Sequence, residues 1–366
     1  MSIKAKSYNW KDTNLSLFGS DTEKKVKKES ANQEPAWEGA GENVGLKVWR
    51  IMKFQVTDWP EEKYGEFFSG DSYIILNTFK DEESDALNYD VHFWIGKNSS
   101  QDEYGTAAYK TVELDTYLND AAIQHREVQG VESSLFNSYF PSMIFNEGGV
   151  DSGFRRVEET EFIIRLYRIK SYGKTVKSFE IPLKKRYVTS DDVYVLDKGS
   201  DIYQWNGGSC RHNEKWKAAE CVSRLKIGRS NVNIHNLEEG ELDSEFFDVI
   251  EDDGEGEIDE RDIENDLSDC GKALIRVSDA KGEMEMMEIS RDEEISRSSL
   301  DSNDVFVVDV GDTVFIWIGK DASENESRNG FGYAHRYLQK TANPLRPITV
   351  ISEGKKNDHF IASTNP

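Results

Sequence analysis

The chain is short of the residues that staple a fold or carry it through a membrane. Its 366 residues include three cysteines and seven prolines. Cys210, Cys221 and Cys270 are too few and too scattered for a disulfide framework or a zinc site, so free thiols are expected. No apolar run is long enough to span a bilayer, and no N-terminal apolar segment reads as a secretory signal. A soluble, intracellular chain is the expectation. Positive charge is also scarce: 45 Lys and Arg stand against 69 Asp and Glu, a formal charge of −24. That balance excludes nucleic acid and anionic membrane as broad partners, since both need a positive field. None of the six histidines sits in a motif beside a Ser, Cys or metal-ligand partner, and no phosphate-binding glycine loop follows a strand. The chain is therefore not expected to be an enzyme.

What the chain does have is one motif written three times. Each copy places an Asp at the head of an apolar strand, a Trp on the next strand, and a Glu nine residues after that Trp. The three sets are Asp71, Trp94 and Glu103; Asp192, Trp205 and Glu214; and Asp304, Trp317 and Glu326. The Asp-to-Trp spacing is 13 in the second and third copies and 23 in the first, which carries a longer hairpin. Such a repeat means one supersecondary unit used three times. The repeated carboxylates are hard oxygen donors of the kind calcium takes. Read alone, each Asp and Glu could equally be a strand-end cap and a helix N-terminal cap.

Around the motif, alternating or continuous apolar runs predict strands, and a 3.6-residue pattern after each Trp predicts a long helix: Gln101–Asn119, Asn213–Lys226 and Glu324–Lys340. Short helices are expected at Ser133–Phe140 and Ser244–Ile250, with little chain left for one in the third repeat. The architecture is α+β, three tandem repeats, each a central mixed sheet packed between a long and a short helix. The boundaries read as an arm at 1–43 with a helical stretch at Thr22–Ser30, a first repeat at 44–147, a linker at 148–160, a second repeat at 161–250, an acidic linker at 251–269 and a third repeat at 270–366. From Glu238 to Asp266 there are sixteen acids and one base, Arg261, a block that is usually extended and solvated.

The stretch from Tyr64 to Tyr73, the runs His92-Phe93-Trp94-Ile95-Gly96 and Ser100-Gln101-Asp102-Glu103, and Gln124 to Gly130 resemble the gelsolin family. So does Gly148-Gly149-Val150 followed by Ser152-Gly153-Phe154. The likeness covers about Val44 to Gly354. With three repeats rather than six, the chain is most similar to the severin and fragmin branch and to short gelsolin-like proteins of invertebrates. The resemblance implies a calcium-controlled protein that severs actin filaments, caps their fast-growing end and often nucleates new ones. Calcium-dependent capping or monomer binding without severing stays open beside it.

The resemblance also assigns residues. The intradomain calcium site of the first repeat corresponds to Asp71 and Glu103 with the carbonyls of Gly70 and Val150. That of the second corresponds to Asp192 and Glu214, the Asp191 carbonyl and, from the acidic linker, Asp262. The third has Asp304, Glu326 and the Asn303 carbonyl. A calcium shared with actin corresponds to Asp115 with the carbonyls of Asp120 and Ala122. Such a set leaves the ion short of ligands, so an actin carboxylate would complete it and bridge two acidic proteins. Position 120 is usually Gly in the family. Phe54, Tyr109 and Val112 match the family's actin-contact positions, the last two on the helix that would enter the actin cleft. A basic stretch, Arg155, Arg156, Arg165, Arg168, Lys170, Lys174 and Lys177, overlaps the region that binds filaments and phosphoinositides in the family; a solvated basic edge is the alternative. Glu251 to Asp262 imitates an EF-hand loop, but Glu at its first position and Asp at its last favour a linker that donates one ligand.

Overall fold

The computed structural model describes residues 31, 33–80, 85–149, 163–172, 175–226, 229, 231–241, 244–252, 271–279, 284–341 and 343–365. The expected helix at Thr22–Ser30, the linker expected at 148–160 beyond its first two residues, and the acidic linker expected at 251–269 beyond its first two residues lie outside them. Two compact units emerge: one from Met1–Glu61, Asp71–Phe136 and Glu264–Pro366, the other from Glu62–Gly70 and Asn137–Ile263.

The first repeat contributes β1 (Gly45–Met52), β2 (Gln55–Asp58), β3 (Glu66–Phe68), β4 (Ser72–Lys80), β5 (Leu87–Ile95), helix α1 (Gln101–Tyr117), β6 (Ala122–Val128), helix α2 (Ser134–Tyr139) and β7 (Met143–Asn146). The second contributes β8 (Arg165–Tyr172), β9 (Thr175–Ile181), β10 (Val193–Asp197), β11 (Asp201–Asn206), helix α3 (His212–Leu225), β12 (Asn233–Glu238) and helix α4 (Ser244–Phe247). The third contributes β13 (Ala273–Ser278), β14 (Glu285–Arg291), β15 (Val305–Asp309), β16 (Val314–Ile318), helix α5 (Glu324–Leu338), β17 (Ile348–Ser352) and helix α6 (Asp358–Ser363). Each repeat builds the same five-strand order, β2-β1-β4-β5-β6, β9-β8-β10-β11-β12 and β14-β13-β15-β16-β17. The first four strands pair antiparallel, two hairpins joined side by side. The fifth runs parallel to the fourth because the long helix carries the chain back across the sheet.

The sheets do not stop at the repeats. In the first unit β6 pairs antiparallel with β17, with Ile348 opposite Arg126 and Val350 opposite Gln124, so repeats one and three share a ten-stranded sheet. In the second unit β9 pairs with β7, and β7 with β3, giving seven strands. Both extensions cover edge strands that would otherwise offer unpaired backbone groups. Each repeat keeps the expected central mixed sheet, and the pairings that extend it join segments distant in sequence, which leave no periodic signal.

The end of the expected arm packs on the first repeat. Trp37 is fully buried against Trp49, ring centroids 5.0 Å apart, and its Nε1 donates to Glu113 of α1 at 3.0 Å. The third repeat does find room for its final helix. Asn357 caps α6 by accepting from the Phe360 amide, and Phe360 packs on Phe315.

Candidate cation sites and their arginine partners

The threefold motif becomes a threefold geometry. In each repeat the Asp heads a central strand and its own carbonyl accepts from the glycine of the Trp-x-Gly turn: Gly96 to Asp71 at 3.0 Å, Gly207 to Asp192 at 3.1 Å, Gly319 to Asp304 at 3.1 Å. Two of those glycines have no room for a side chain, since a Cβ on Gly207 or Gly319 would lie 2.3 or 2.2 Å from the carbonyl oxygen of Ser190 or Ser302. The Trp pairs across the strands with the ring two residues after the Asp: Tyr73 with Trp94, Tyr194 with Trp205, Phe306 with Trp317. The Asp side chains are buried in all three repeats.

The Glu sits at the third position of each long helix and is buried as well. Glu103 accepts from the Ser100 amide at 3.2 Å while Ser100 Oγ accepts from the Glu103 amide, a reciprocal cap. Glu326 does the same with Ser323. Glu214 accepts from Arg211 at 2.8 Å. The second oxygen of Glu214 takes the Ser171 amide, and that of Glu326 the Asp279 amide, both at 2.8 Å. The capping role is therefore real, and it occupies the same oxygens that a cation would use.

Sequence reasoning missed the third member of the constellation. Arg50, Arg168 and Arg276 lie mid-way along the first strand of each repeat, opposite Tyr73, Tyr194 and Phe306. Residues two apart on a strand share a face, so each Arg reaches diagonally to the Asp. Arg50 Nη2 bonds Asp71; Arg168 holds Asp192 through Nε at 2.7 Å and Nη2 at 2.5 Å; Arg276 Nη2 reaches Asp304 at 2.5 Å. The signal was an Arg between two apolar residues in each first strand: Trp49-Arg50-Ile51, Tyr167-Arg168-Ile169, Ile275-Arg276-Val277.

The residues fit a hard divalent cation, which takes oxygen donors and balances charge. Each repeat offers two buried carboxylates, all of whose donors are oxygens. Asp191 and Asn303, the carbonyls before the Asp, lie at exposed turns. Gly70 is fixed by its amide, which donates to the Gly148 carbonyl at 2.7 Å. Val150 and Asp262 lie outside the described residues, so neither contribution is described.

The end of α1 forms a different site. Asp115 is buried, accepting from the Ala122 amide at 2.9 Å and from Gln124 Nε2 at 2.7 Å. Burial pushes its carboxyl up to about 6, against those hydrogen bonds. Asp120 occupies the left-handed region, φ 57°, which Gly favours and Asp tolerates. Lys355 donates to the Ala121 carbonyl at 2.8 Å, placing a third-repeat cation beside Asp115.

Of the expected actin contacts, Phe54 is 58% exposed, and Tyr109 and Val112 are half-buried. The basic stretch separates. Arg165 is half-buried near Glu180 at 3.8 Å, and Lys170 is half-buried. Arg168 and Lys177 are buried, Arg168 on Asp192 and Lys177 over the Phe145 ring, so they form no solvated edge. Arg155, Arg156 and Lys174 lie outside the described residues. Among the described residues the largest exposed apolar side chain is Trp216 on α3, 76% exposed, which no signal in the sequence singles out.

His92, His125 and Glu127 bring donor atoms within 4.8 Å of one another. Each is already engaged: His92 Nδ1 with Glu127, His125 with Asp90 and Thr349, Glu127 with Ser133. Burial, with the charge of His125, holds His92 well below its usual pKa. The group is a satisfied hydrogen-bond network beside the β6–β17 pairing.

The gelsolin-repeat family description matches residues 53–137, 174–242 and 291–361. The chain is 49% identical over 366 residues to "Gelsolin-like protein 2" of Lumbricus terrestris, covering 99% of this chain and 98% of that one. It is 46% identical to "Gelsolin-like protein 1" of the same organism, covering 96% of each. To "Severin" of Echinococcus granulosus it is 41% identical, again covering 96% of each. Three family repeats, matched at the positions where the Asp–Trp–Glu geometry recurs, and relatives alike over nearly their whole length establish that this chain belongs to the gelsolin family.

Proposed function

We propose that this protein severs actin filaments and caps their barbed ends under calcium control, with nucleation as a further activity. It works as a binding protein, not an enzyme. The observation that carries this reading is the packing of the first repeat against the third. Phe331 of α5 belongs to both hydrophobic cores, and its ring lies 6.2 Å from Phe93. Arg126 is buried and donates to the carbonyls of Arg346 at 2.8 Å and Pro344 at 3.4 Å. Asp115, at the end of the helix that would enter actin, is enclosed in the same arrangement. A resting state of that kind suits a protein whose filament activity is switched on.

Bound calcium would supply positive charge to the paired carboxylates of each repeat. Asp71 with Glu103, Asp192 with Glu214, and Asp304 with Glu326 then cease to serve only as strand and helix caps. Release of Arg126, Phe331 and Lys355 exposes α1, with Tyr109 and Val112 as its contact residues and Phe54 beside it. The second repeat holds the filament side, with Trp216 as an apolar anchor and Arg165, Lys170 and Lys174 as basic contacts. The first repeat enters between actin subunits. Asp115, with the Asp120 and Ala122 carbonyls, would hold a cation completed by an actin carboxylate. Arg155, Arg156 and Arg165 are the residues for phosphoinositide control. Arg168 would reach filament or lipid only after leaving Asp192. The proposed place of action is the cytoplasmic cytoskeleton.

The test is the light scattering of diluted actin filaments with the protein added in calcium and then in chelator. Loss of polymer faster than end depolymerisation, in calcium only, is expected. Arrested growth from seeds without that loss would mean capping alone, and no change in either condition would refute the proposal.

A further inference from the structure

We infer that Arg50, Arg168 and Arg276 are resident counter-ions of the three cation sites and set how much divalent metal each site needs. The inference rests on the calcium reading above. Three independent copies of the same pair make an accident of packing untenable. In each repeat the Arg comes from the first strand, faces the aromatic ring two residues after the Asp, and reaches the Asp of the carboxylate pair assigned to the cation. The sequence distance from Arg to Asp is not kept, being 21, 24 and 28 residues, so the geometry is maintained while the loops between vary.

The chemistry follows from counting charge. Asp and Glu together carry two negative charges, which a divalent ion neutralises. With the guanidinium in place the site carries only one. The Arg also holds the Asp oxygen at hydrogen-bond distance, so a cation must either break that bond or share a half-neutralised site. A charge-assisted bond of this kind alters binding by about ten- to a hundredfold when it has to be broken. In its absence two buried carboxylates would repel one another, so the Arg is also what lets the cation-free fold bury them.

The three copies are not equal. The Arg50 and Arg168 side chains are 11% and 6% exposed, whereas Arg276 is 33% exposed. Arg50 is further held over the Trp59 ring, 5.2 Å from its centroid. Arg276 can therefore swing into water at least cost, and its site should fill at the lowest metal concentration of the three.

The experiment is isothermal titration of the full chain with calcium chloride, comparing wild type, Arg276→Met, Arg276→Lys and Asp304→Asn, together with each protein's melting temperature in chelator and in calcium. Arg276→Met should move one calcium midpoint down by about tenfold or more, with the number of sites unchanged. It should also melt lower than wild type in chelator and recover in calcium. Arg276→Lys keeps the charge and should stay near the wild-type midpoint, which separates charge from packing. Unchanged midpoints in Arg276→Met, with Asp304→Asn losing one site, would overturn the counter-ion role and leave the calcium reading intact. Equal uptake by Asp304→Asn and wild type would overturn both. Because Arg276 is the most exposed of the three, its variants are the ones best placed to fold; if Arg276→Met does not, the Arg276→Lys midpoint decides alone, a tenfold rise or fall with charge retained refuting the inference.

Discussion

Replacing Arg126 by Met should loosen the pairing of the first repeat with the third while leaving each repeat folded. Arg126 is 6% exposed and donates to two carbonyls of the third repeat, at 2.8 and 3.4 Å, with His335 Nδ1 at 3.3 Å from its Nη1. A charged donor on a buried carbonyl contributes about 1.5–3 kcal/mol. Against this stands the cost of burying the guanidinium, whose pKa is pushed down to about 10 by desolvation. Met keeps the apolar stem in place, so the cores on either side stay filled. The net loss should be about 2 kcal/mol, about a thirtyfold shift toward the open arrangement. Hydrogen exchange in chelator reads this directly. Segments 122–128 and 348–352 should exchange about thirtyfold faster in the variant, while β12 in the other compact unit should not change. The calcium needed for filament severing should fall in parallel. Unchanged exchange at both strands would refute the assignment, and so would acceleration spread evenly over all three repeats.

Further expectations follow from single sites. Asp71→Ala should raise the calcium midpoint of severing, because a buried ligand is lost; an equal midpoint would remove Asp71 from the site. Asp115→Ala should weaken calcium-dependent actin affinity, checked by sedimentation with actin monomer, and equal affinity would remove the shared-ion idea. Trp216→Ala should reduce filament co-sedimentation several-fold without lowering the melting temperature, since a side chain 76% exposed contributes little to the core. Acid should weaken the fold through His335, whose pKa is lowered to about 4 from 6.5 by burial and by Arg126. A base with a depressed folded pKa stabilises above its unfolded value and loses that stability as pH falls from 6.5 toward 4. Asp115 acts in the opposite sense: with its folded pKa near 6, its contribution is full below its unfolded value of 3.8 and is lost as pH rises through 6. His335→Gln should flatten the fall of unfolding free energy between pH 6.5 and 4 in denaturant titrations, and an equal slope would refute the assignment.

Much of the fold was legible along the chain because its signals are local. A strand of five buried residues such as Val305–Asp309, or a helix opened by Ser323 and Glu326, is dictated by neighbours a few residues apart. The three long helices lie where hydrophobic pattern and capping predict them, within one or two residues at each end. The Asp and Glu of each candidate site were legible for the same reason, since fixed spacing survives in sequence. The final helix α6 was passed over because it is only six residues long and has a single cap as its signature.

What the sequence determined by itself is the repeated unit: its strands, its long helix, and the carboxylates at the two ends of its central strand and helix. What only the tertiary structure decided is which groups those units use as partners. Arg50 and Arg276 looked like ordinary strand residues, and Arg168 like part of a basic contact surface, until cross-strand register placed all three diagonally against Asp71, Asp192 and Asp304. Likewise nothing in β6 or β17 announces the other, although more than two hundred residues later Thr349 meets His125. Side-chain periodicity records which face of an element is buried, but the identity of the partner depends on loop closure and edge pairing between distant segments, and those interactions leave no period in the chain.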